Sequence, residues 1–396
     1  MKKLFRKIHL WLSVPFGLFI TLICFSGAMM VFEKEITELC RPDLYFVQEV
    51  KENPLPIGRL MRMVSATLPD SVTVTGVTVS PDAKRTWQVS LSQPRRASLY
   101  VNPYTGEVTG RSEKLPFYDT MFHLHRWMLG SSTGFGKLLV GVSTLILIVI
   151  LITGILMWLT NRHKPLKKSL TISFTKGWPR FWHDLHVAGG IYAAIFLLAF
   201  ALTGLTWSFS WYRTGFYSLF GAESSAEGHG ESRRPEGRAA NATAHRSSHG
   251  HEGRGRHHHE GERTHEGEHT FRFAYWQEIH DELARRYPGY RQITLAEGTA
   301  SVVPSGRNSL RAGDRFDFDP VSGEITGHTP YADQDQSTHV RSAIYTVHVG
   351  SWGGWITRIV TFLAALLGAT LPLTGYYLWI RRLINKSKNK HLRYES

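Results

Sequence analysis

Four long stretches of this 396-residue sequence lack Asp, Glu, Lys and Arg altogether, and they run over residues 10–32, 138–159, 187–212 and 359–380. Each is longer than the roughly 20 apolar residues that a helix needs to cross the hydrocarbon core of a bilayer. A soluble globular protein is therefore excluded. The sequence predicts an α-helical membrane protein with four transmembrane helices, because a helix satisfies its own backbone hydrogen bonds inside lipid.

Cysteine is scarce, since Cys24 and Cys40 are the only two in the chain. One lies inside the first apolar stretch and the other beyond it, so a structural disulfide is not expected. Two cysteines also exclude an iron–sulfur cluster and a cysteine-rich zinc site. The sequence further lacks a G-x-G-x-x-G segment after a strand and a Walker loop. No flavin or nicotinamide site is evident, so electron transfer by this chain would need a separate donor.

Acidic residues are almost absent from the segments 1–9, 160–186 and 381–396, which carry the whole formal net charge of +14. Lys and Arg near the end of a span bias that end to the cytoplasm. The sequence therefore predicts a multi-pass membrane protein with cytoplasmic N- and C-termini and two long segments that face outward. A basic protein can bind nucleic acid, but membrane topology explains this distribution, and no nucleic-acid partner is expected.

The sequence indicates an internal duplication. The first and third apolar stretches both place a histidine 18 residues before a glycine, starting from His9 and from His186. The segment NPYTGEVTG at 102–110 matches DPVSGEITG at 319–327. The second and fourth apolar stretches each follow a histidine and contain a Thr-Gly step. The fold is therefore predicted as two duplicated halves, each with a span, an outer domain, a histidine and a second span.

Each outward-facing segment predicts a small α+β domain. Alternating apolar residues predict strands at 72–80, 86–91 and 98–101, and the Asx-Pro-x-Ser/Thr-Gly-Glu turns predict hairpins. One amphipathic helix per domain is expected, at 56–69 and at 274–289. We expect each domain to pack its helix on an antiparallel sheet of its own.

Residues 222–270 distinguish the second half from the first, and they are rich in Gly, Glu, Arg and His. Such a composition cannot bury enough apolar surface to fold, so we predict a disordered outer loop, either a solvated linker or a weak metal-binding segment. The predicted boundaries are transmembrane helices at 8–33, 137–160, 183–213 and 352–381, outer domains at 34–120 and 271–345, an interfacial segment at 121–136, a cytoplasmic loop at 161–182 and a cytoplasmic tail at 382–396.

Four histidines at helix ends form two symmetric pairs. His9 and His186 take equivalent positions at the cytoplasmic start of their spans, and His125 and His348 take equivalent positions on the outer face. Imidazoles from facing helices are ligands that hold a b-type haem in a bundle. We therefore expect two haem b groups, with His9 and His186 as axial iron ligands of one and His125 and His348 of the other. No catalytic side chain is predicted.

Two neighbouring histidines leave the ligand assignment open. His183 precedes His186 by three residues, and His123 precedes His125 by two. Either could replace or support the assigned ligand. Neither has a histidine at the equivalent position of the other half, which favours a supporting role.

Each span also contains a Ser/Thr-Gly step at the end opposite its histidine, at Gly27, Gly154, Gly204 and Gly375. At a rise of 1.5 Å per residue, His9 and Gly27 are about 27 Å apart. Each glycine should therefore lie level with the other histidine pair. The glycines either permit close packing of the helices or make room for the haem that the other two helices hold.

Together, the IHLWLSVPFGL opening, the DLHVAGG segment, the two Asx-Pro turns and the four Ser/Thr-Gly steps resemble the PepSY-associated transmembrane proteins. Within that family the sequence is most similar to the inner-membrane ferric-siderophore reductases of Gram-negative bacteria, over nearly all the chain except 222–270. The resemblance implies PepSY-like outer domains and two haems that pass electrons to a periplasmic ferric siderophore, releasing Fe(II). It carries the haem-ligand role to His9, His186, His125 and His348.

The resemblance implies a membrane-bound haem-dependent oxidoreductase of the bacterial inner membrane, whose outward-facing segments and loop 222–270 are periplasmic. Its electron donor is unidentified, either cytoplasmic or a membrane quinone. Its acceptor would be a ferric siderophore or another ferric chelate, and Trp127, Trp352 and Trp355 either line that site or anchor the membrane interface. Two other functions stay open. A non-enzymatic membrane anchor, sensor or peptidase regulator predicts no bound chromophore, whereas a haem conduit to another metal acceptor such as Cu(II) predicts the same spectrum.

Overall fold

The computed structural model describes residues 2–94, 97–160, 169–223, 273–307 and 309–392. The predicted disordered loop lies outside the described residues from position 224 onward. Residues 161–168 of the predicted cytoplasmic loop and 393–396 of the predicted tail also lie outside them.

Twelve helices and eight strands are described. The helices are α1 (Lys2–Met30), α2 (Glu33–Cys40), α3 (Pro42–Tyr45), α4 (Ile57–Ala66), α5 (Pro116–Trp127), α6 (Phe135–Leu159), α7 (Trp178–Asp184), α8 (Gly190–Ser208), α9 (Ser210–Ser218), α10 (Trp276–Arg286), α11 (Gln336–Val349) and α12 (Gly354–Leu392). A π-helical turn, Leu185–Gly189, joins α7 to α8. The strands are β1 (Val74–Val79), β2 (Trp87–Leu91), β3 (Ser98–Val101), β4 (Val108–Arg111), β5 (Gln292–Ala296), β6 (Thr299–Val303), β7 (Asp314–Phe318) and β8 (Ile325–Thr329).

In the described part of the chain, four helical segments are long and apolar enough to cross a membrane. They are Lys2–Met30, Phe135–Leu159, Trp178–Ser208 and Ser351–Ser387, here called spans 1 to 4. The chain is therefore a multi-pass membrane protein, and the prediction of four transmembrane helices is confirmed. Span 3 comprises α7, the π turn and α8, and span 4 includes most of α12.

The spans form a four-helix bundle. Span 1 packs against spans 2 and 4, and span 3 packs against the same two. Spans 1 and 3 therefore face each other across the bundle axis, as do spans 2 and 4. Buried side chains from several spans fill the centre: Ile20, Cys24, Leu151, Leu197 and Ala369.

The strands form one antiparallel sheet of eight, in the order β4-β3-β2-β1-β5-β6-β7-β8. The sequence predicts a separate sheet in each outer segment, but β1 pairs with β5 and joins the two sets of four. Val77 is opposite Leu295, and the hydroxyls of Thr78 and Thr294 are 3.1 Å apart. This pairing hides the backbone groups of two strands that would otherwise lie at open sheet edges. Gly76 allows the approach, because a Cβ there would be 2.8 Å from the Leu295 carbonyl oxygen.

Two helices cover one apolar core on the sheet. α4 contributes Ile57, Leu60 and Val64, and α10 contributes Trp276 and Leu283, all of them buried. The helices are also joined directly, since the backbone N–H at the start of α4 donates to the side chain of Gln277 at 2.9 Å. The sheet follows spans 1 and 3 in the chain and precedes spans 2 and 4. It therefore lies beyond one end of the bundle, here called the sheet side, and the other end is the loop side.

Candidate functional site

His9 and His186 form the first histidine pair, on the loop side of the bundle. His9 lies in α1, and His186 lies in the π turn of span 3, so the two rings come from diagonally opposed spans. Their centroids are 6.3 Å apart and their planes are perpendicular. Single π turns inside α-helices occur frequently at functional sites. We call this the loop-side pair.

His125 and His348 form the second pair, on the sheet side. They lie near the C-terminal ends of α5 and α11, the helices that precede spans 2 and 4. Their centroids are 6.0 Å apart, with an interplanar angle of 59°. The ring of Trp207 meets His348 edge-on at 5.0 Å. Burial lowers the pKa of both histidines below the usual range, so both imidazoles are neutral, which is the form that binds metal. We call this the sheet-side pair.

Each imidazole of the loop-side pair is held through Nδ1 by two oxygens of a neighbouring span. His9 Nδ1 lies 3.1 Å from the Ile150 carbonyl and 3.2 Å from the Thr153 hydroxyl. His186 Nδ1 lies 3.1 Å from the Leu371 carbonyl and 2.9 Å from the hydroxyl of Thr374. In both cases the carbonyl belongs to the residue three positions before the threonine.

The sheet-side imidazoles are held in a related way. His125 Nδ1 lies 2.9 Å from the Ile23 carbonyl, and His348 Nδ1 lies 3.0 Å from the Thr203 hydroxyl. Ile23 stands three residues before Ser26, which is the hydroxyl residue of span 1. The Ser26 hydroxyl instead donates within its own helix, to the carbonyl of Ile23 at 3.0 Å.

These partners decide which nitrogen carries the proton. A carbonyl oxygen only accepts, and the threonine hydroxyls donate to carbonyls of their own helices, as Thr153 does to Val149 at 2.8 Å and Thr374 to Leu371 at 2.8 Å. Nδ1 must therefore be the donor. Within the described chain, the hydrogen bonds of all four imidazoles run through Nδ1. Each Nε2 consequently retains a lone pair without a protein partner.

The four Ser/Thr-Gly glycines contact these same imidazoles. A Cβ on Gly27 would lie 2.9 Å from His125 Cε1, and one on Gly204 would lie 3.1 Å from His348 Cε1. The corresponding distances are 3.4 Å from Gly154 to His9 and 3.4 Å from Gly375 to His186. The glycines lie at the predicted levels. Each glycine accommodates the edge of an imidazole from the adjoining span.

The spacing of both pairs fits one metal between two imidazoles. An imidazole nitrogen binds a transition metal at about 2.0 Å and lies about 1.1 Å from its ring centroid, so two imidazoles on opposite sides of one metal have centroids about 6.2 Å apart. The observed separations are 6.3 and 6.0 Å. The described residues contain no group of three or more His, Cys, Asp and Glu side chains that could hold a bare metal ion. A haem suits such a site, because its macrocycle supplies the four remaining nitrogens.

The pattern of the family described as PepSY-associated TM region matches residues 6–382. This match extends over all four spans and both histidine pairs. The chain belongs to the PepSY-associated TM family. No curated protein matches the sequence.

Two further histidines of this PepSY-associated protein, His183 and His123, make contacts outside the pairs. His183 Nδ1 lies 3.2 Å from a carboxylate oxygen of Asp184. His123 packs its ring against Trp127 at 4.9 Å and lies 4.0 Å from Asp119. The described contacts thus join each of them to near neighbours in the chain.

Two of the tryptophans singled out from the sequence, Trp127 and Trp355, lie in separate clusters. Trp127 packs edge-on against Phe122 at 5.5 Å. Trp355 stacks on Phe32 at 5.8 Å, and the Arg358 guanidinium lies 5.2 Å from each of those two rings. Arg358 also pairs with the carboxylate of Glu35 and with the carbonyl of Val31. The second cluster therefore ties the sheet-side ends of spans 1 and 4 together.

Arg126 is a neighbour of the sheet-side pair that the motif search did not select. Its Cζ lies 5.8 Å from the ring centroids of both Phe122 and Trp207. The equivalent position after His348 is Val349, so the cation has no counterpart there. In the sequence, the one signal that could have identified Arg126 is its position directly after His125.

Proposed function

We propose that this PepSY-associated protein is a di-haem electron-transfer protein of the bacterial inner membrane. It reduces a ferric siderophore or another ferric chelate in the periplasm with electrons from the cytoplasmic side, and it releases Fe(II). The observation that carries the proposal is the pair of imidazole sites, each with Nδ1 held by protein oxygens and with Nε2 left to bind a metal.

The proposal includes the internal duplication. The contact of Gly154 with His9 has its counterpart in that of Gly375 with His186. The strand order also supports a duplication, because it reads symmetrically outward from the central β1–β5 pair. The outer segments are accordingly proposed as two PepSY-like domains fused through one sheet.

In this account, His9 with His186 and His125 with His348 hold one haem b each. A haem held at each pair would supply one-electron exchange, and the two imidazoles would be its protein ligands. The protein supplies the surroundings of each imidazole pair. The carbonyl and threonine oxygens fix the tautomer and raise the basicity of each ligand, the glycines admit the imidazole edges, and apolar side chains such as Leu197 exclude water between the two sites.

The two sites together bridge the membrane. Gly27 contacts the sheet-side pair and lies 18 residues from His9, which corresponds to about 27 Å along the helix, close to the ~30 Å hydrocarbon thickness. The basic flanks favour a cytoplasmic position for the loop side. The loop-side pair would accept electrons from a cytoplasmic donor or from membrane quinol, and the sheet-side pair would deliver them to the periplasmic acceptor.

The function is tested with the purified protein in detergent. The protein is reduced with dithionite and freed of excess reductant. A ferric siderophore is then added anaerobically, and haem reoxidation and a colorimetric Fe(II) chelate are followed together. We expect both signals in the wild type, and loss of Fe(II) production in His348→Ala. The matched control is His183→Ala, which removes an imidazole outside the pairs and should keep the activity.

Other outcomes would redirect the assignment. Reoxidation by Cu(II) with no reaction toward ferric chelates would favour a conduit to a different metal. A folded protein without any haem absorbance would contradict the reductase and favour a membrane anchor whose outer domains bind a partner.

A further inference from the structure

One buried atom of a charged side chain on the sheet side has no partner among the described residues. In that part of the chain, three buried side-chain atoms lack a hydrogen-bond partner, namely Ser13 Oγ, Ser143 Oγ and Arg213 Nε. A hydroxyl in a helix can turn toward a carbonyl of its own preceding turn. An arginine has only donors, and a buried charged donor without an acceptor is costly. Arg213 is therefore the group whose partner needs an explanation.

Arg213 lies in α9, shortly after the end of span 3, on the face that packs against α11. Tyr217, one turn further along α9, is buried in a cluster with Ile344 of α11. Trp207, just before α9, packs against the same cluster and meets the His348 ring at 5.0 Å. Arg213 lies between these two contacts in the chain. It therefore belongs to the part of α9 that lies beside the sheet-side pair.

The packing shared by the two halves does not account for this cation. Spans 1 and 3 are offset by 177 residues, which is the spacing of the two loop-side histidines, so position 213 corresponds to Ile36. An apolar side chain thus serves at the equivalent place. Arg358, an arginine at the sheet-side end of span 4, donates to the Glu35 carboxylate at 2.7 Å. The Nε of Arg213 has no such acceptor within the described chain.

We propose that Arg213 binds a propionate carboxylate of the haem at the sheet-side pair. The inference rests on the proposed function. Haem b carries propionate side chains, and an arginine pairs with a carboxylate through parallel N–H···O hydrogen bonds that are about twice as strong as neutral ones. An ionisable residue at the end of a membrane span is a candidate for such a role. Arg213 binds and orients the haem in this account, and it is not an iron ligand.

The phosphate of an anionic lipid offers the same acceptor chemistry, because α9 follows directly on a membrane span. A lipid-binding arginine keeps its head at the membrane surface while its stem lies along apolar groups. The Nε of Arg213 is instead buried within the protein. Burial on the side of α11 favours the haem as the source of the carboxylate.

The test compares haem with haem dimethyl ester, whose propionates are esterified and uncharged. Each is bound to the full-length protein in detergent in a His186→Ala background, which leaves the sheet-side pair complete. The rate of transfer to apomyoglobin is then measured. Arg213→Gln should release haem about 10- to 100-fold faster, the value of a hydrogen bond to a charged group. It should release the ester at an unchanged rate.

The matched control is Arg341→Gln, which removes an exposed arginine of α11 and should change neither rate. Arg213→Lys retains the charge and should release haem more slowly than Arg213→Gln. If Arg213→Gln does not fold, resonance Raman spectra of Arg213→Lys decide. We expect the propionate bending band to shift, because the lysine changes the hydrogen bond to the carboxylate.

Equal haem release by Arg213→Gln and its parent would overturn the inference, as would an unshifted propionate band in Arg213→Lys. Unchanged haem release together with loss of co-purified anionic phospholipid would assign Arg213 to a lipid instead. Any of these results in a protein that still binds haem at both pairs leaves the proposed function intact. A folded wild type without haem removes both.

Discussion

The contacts of the four Ser/Thr-Gly glycines predict a graded response to the addition of a single methyl group. A Cβ at position 27 would lie 2.9 Å from His125 Cε1 and 3.2 Å from its Nδ1. Both distances are below van der Waals contact, and His125 is held in place by its bond to the Ile23 carbonyl. At position 154 the nearest histidine atom would be 3.4 Å away, which is ordinary contact.

Two opposing energies set the change in stability that each Gly→Ala substitution causes. Replacing a helical Gly by Ala favours the helix by about 1 kcal/mol, whereas overpacking a fitted site costs about 1 to 3 kcal/mol. Gly27→Ala should therefore be destabilised by about 1 kcal/mol and should lose haem from the sheet-side site, while Gly154→Ala, which meets only ordinary contact, should be stabilised by up to about 1 kcal/mol and keep its haem. Gly204→Ala, at 3.1 Å from His348, should fall between them.

The assay is the haem-to-protein ratio of each purified variant, together with its thermal unfolding midpoint. Gly215→Ala is the control, because this glycine lies in α9 with nothing within 4 Å of the added Cβ, and it should be stabilised by about 1 kcal/mol with full haem. Full haem retention in Gly27→Ala, or a larger loss in Gly154→Ala than in Gly27→Ala, would refute the reasoning.

Three more predictions follow from the local geometry. Thr374→Val removes an Nδ1 acceptor and should weaken haem retention at the loop-side pair about 10- to 100-fold, measured by transfer to apomyoglobin. Thr370→Val removes a hydroxyl that donates to the Leu367 carbonyl of its own helix and should not weaken it. Leu129→Gly should raise the free energy of unfolding by about 1 kcal/mol in chemical denaturation, because residue 129 has a φ of 64° that costs a side-chain-bearing residue energy; an unchanged value would contradict this. For Glu35, burial acts to raise the pKa, but the hydrogen bonds and charge of Arg358 outweigh it and leave the folded-state pKa below 4.5. Its stabilising effect relative to Glu35→Gln should therefore be present above pH 4.5 and lost as the pH falls through the lowered value, and thermal midpoints that differ equally at all pH values would disprove it.

The sequence was most informative where a constraint acts along the chain. Uncharged stretches such as 138–159 follow from the lack of water in the bilayer, and the structure has a span there at Phe135–Leu159. The pairing of His9 with His186 was also predictable, because two related segments place a histidine at the same depth. The amphipathic helix expected at 274–289 corresponds to α10, Trp276–Arg286.

Features that depend on contacts between distant segments could not be predicted. The β1–β5 pairing depends on how two outer segments approach each other, and no local pattern in Val74–Val79 indicates that partner. The Nδ1 acceptors at Ile150 and Leu371 are backbone carbonyls, which carry no side-chain signal. The Ser/Thr-Gly steps were visible as a repeat in the sequence. Their contacts with the imidazoles could not be predicted, because these depend on how the spans pack.

The central claim is that each imidazole pair binds one haem. The most direct measurement is the haem-to-protein ratio from the pyridine haemochrome spectrum of the purified wild type, His9→Ala and His348→Ala. The account predicts two b haems in the wild type and one in each variant, with low-spin spectra throughout. A folded wild type that contains no haem, or variants that retain two, would contradict it.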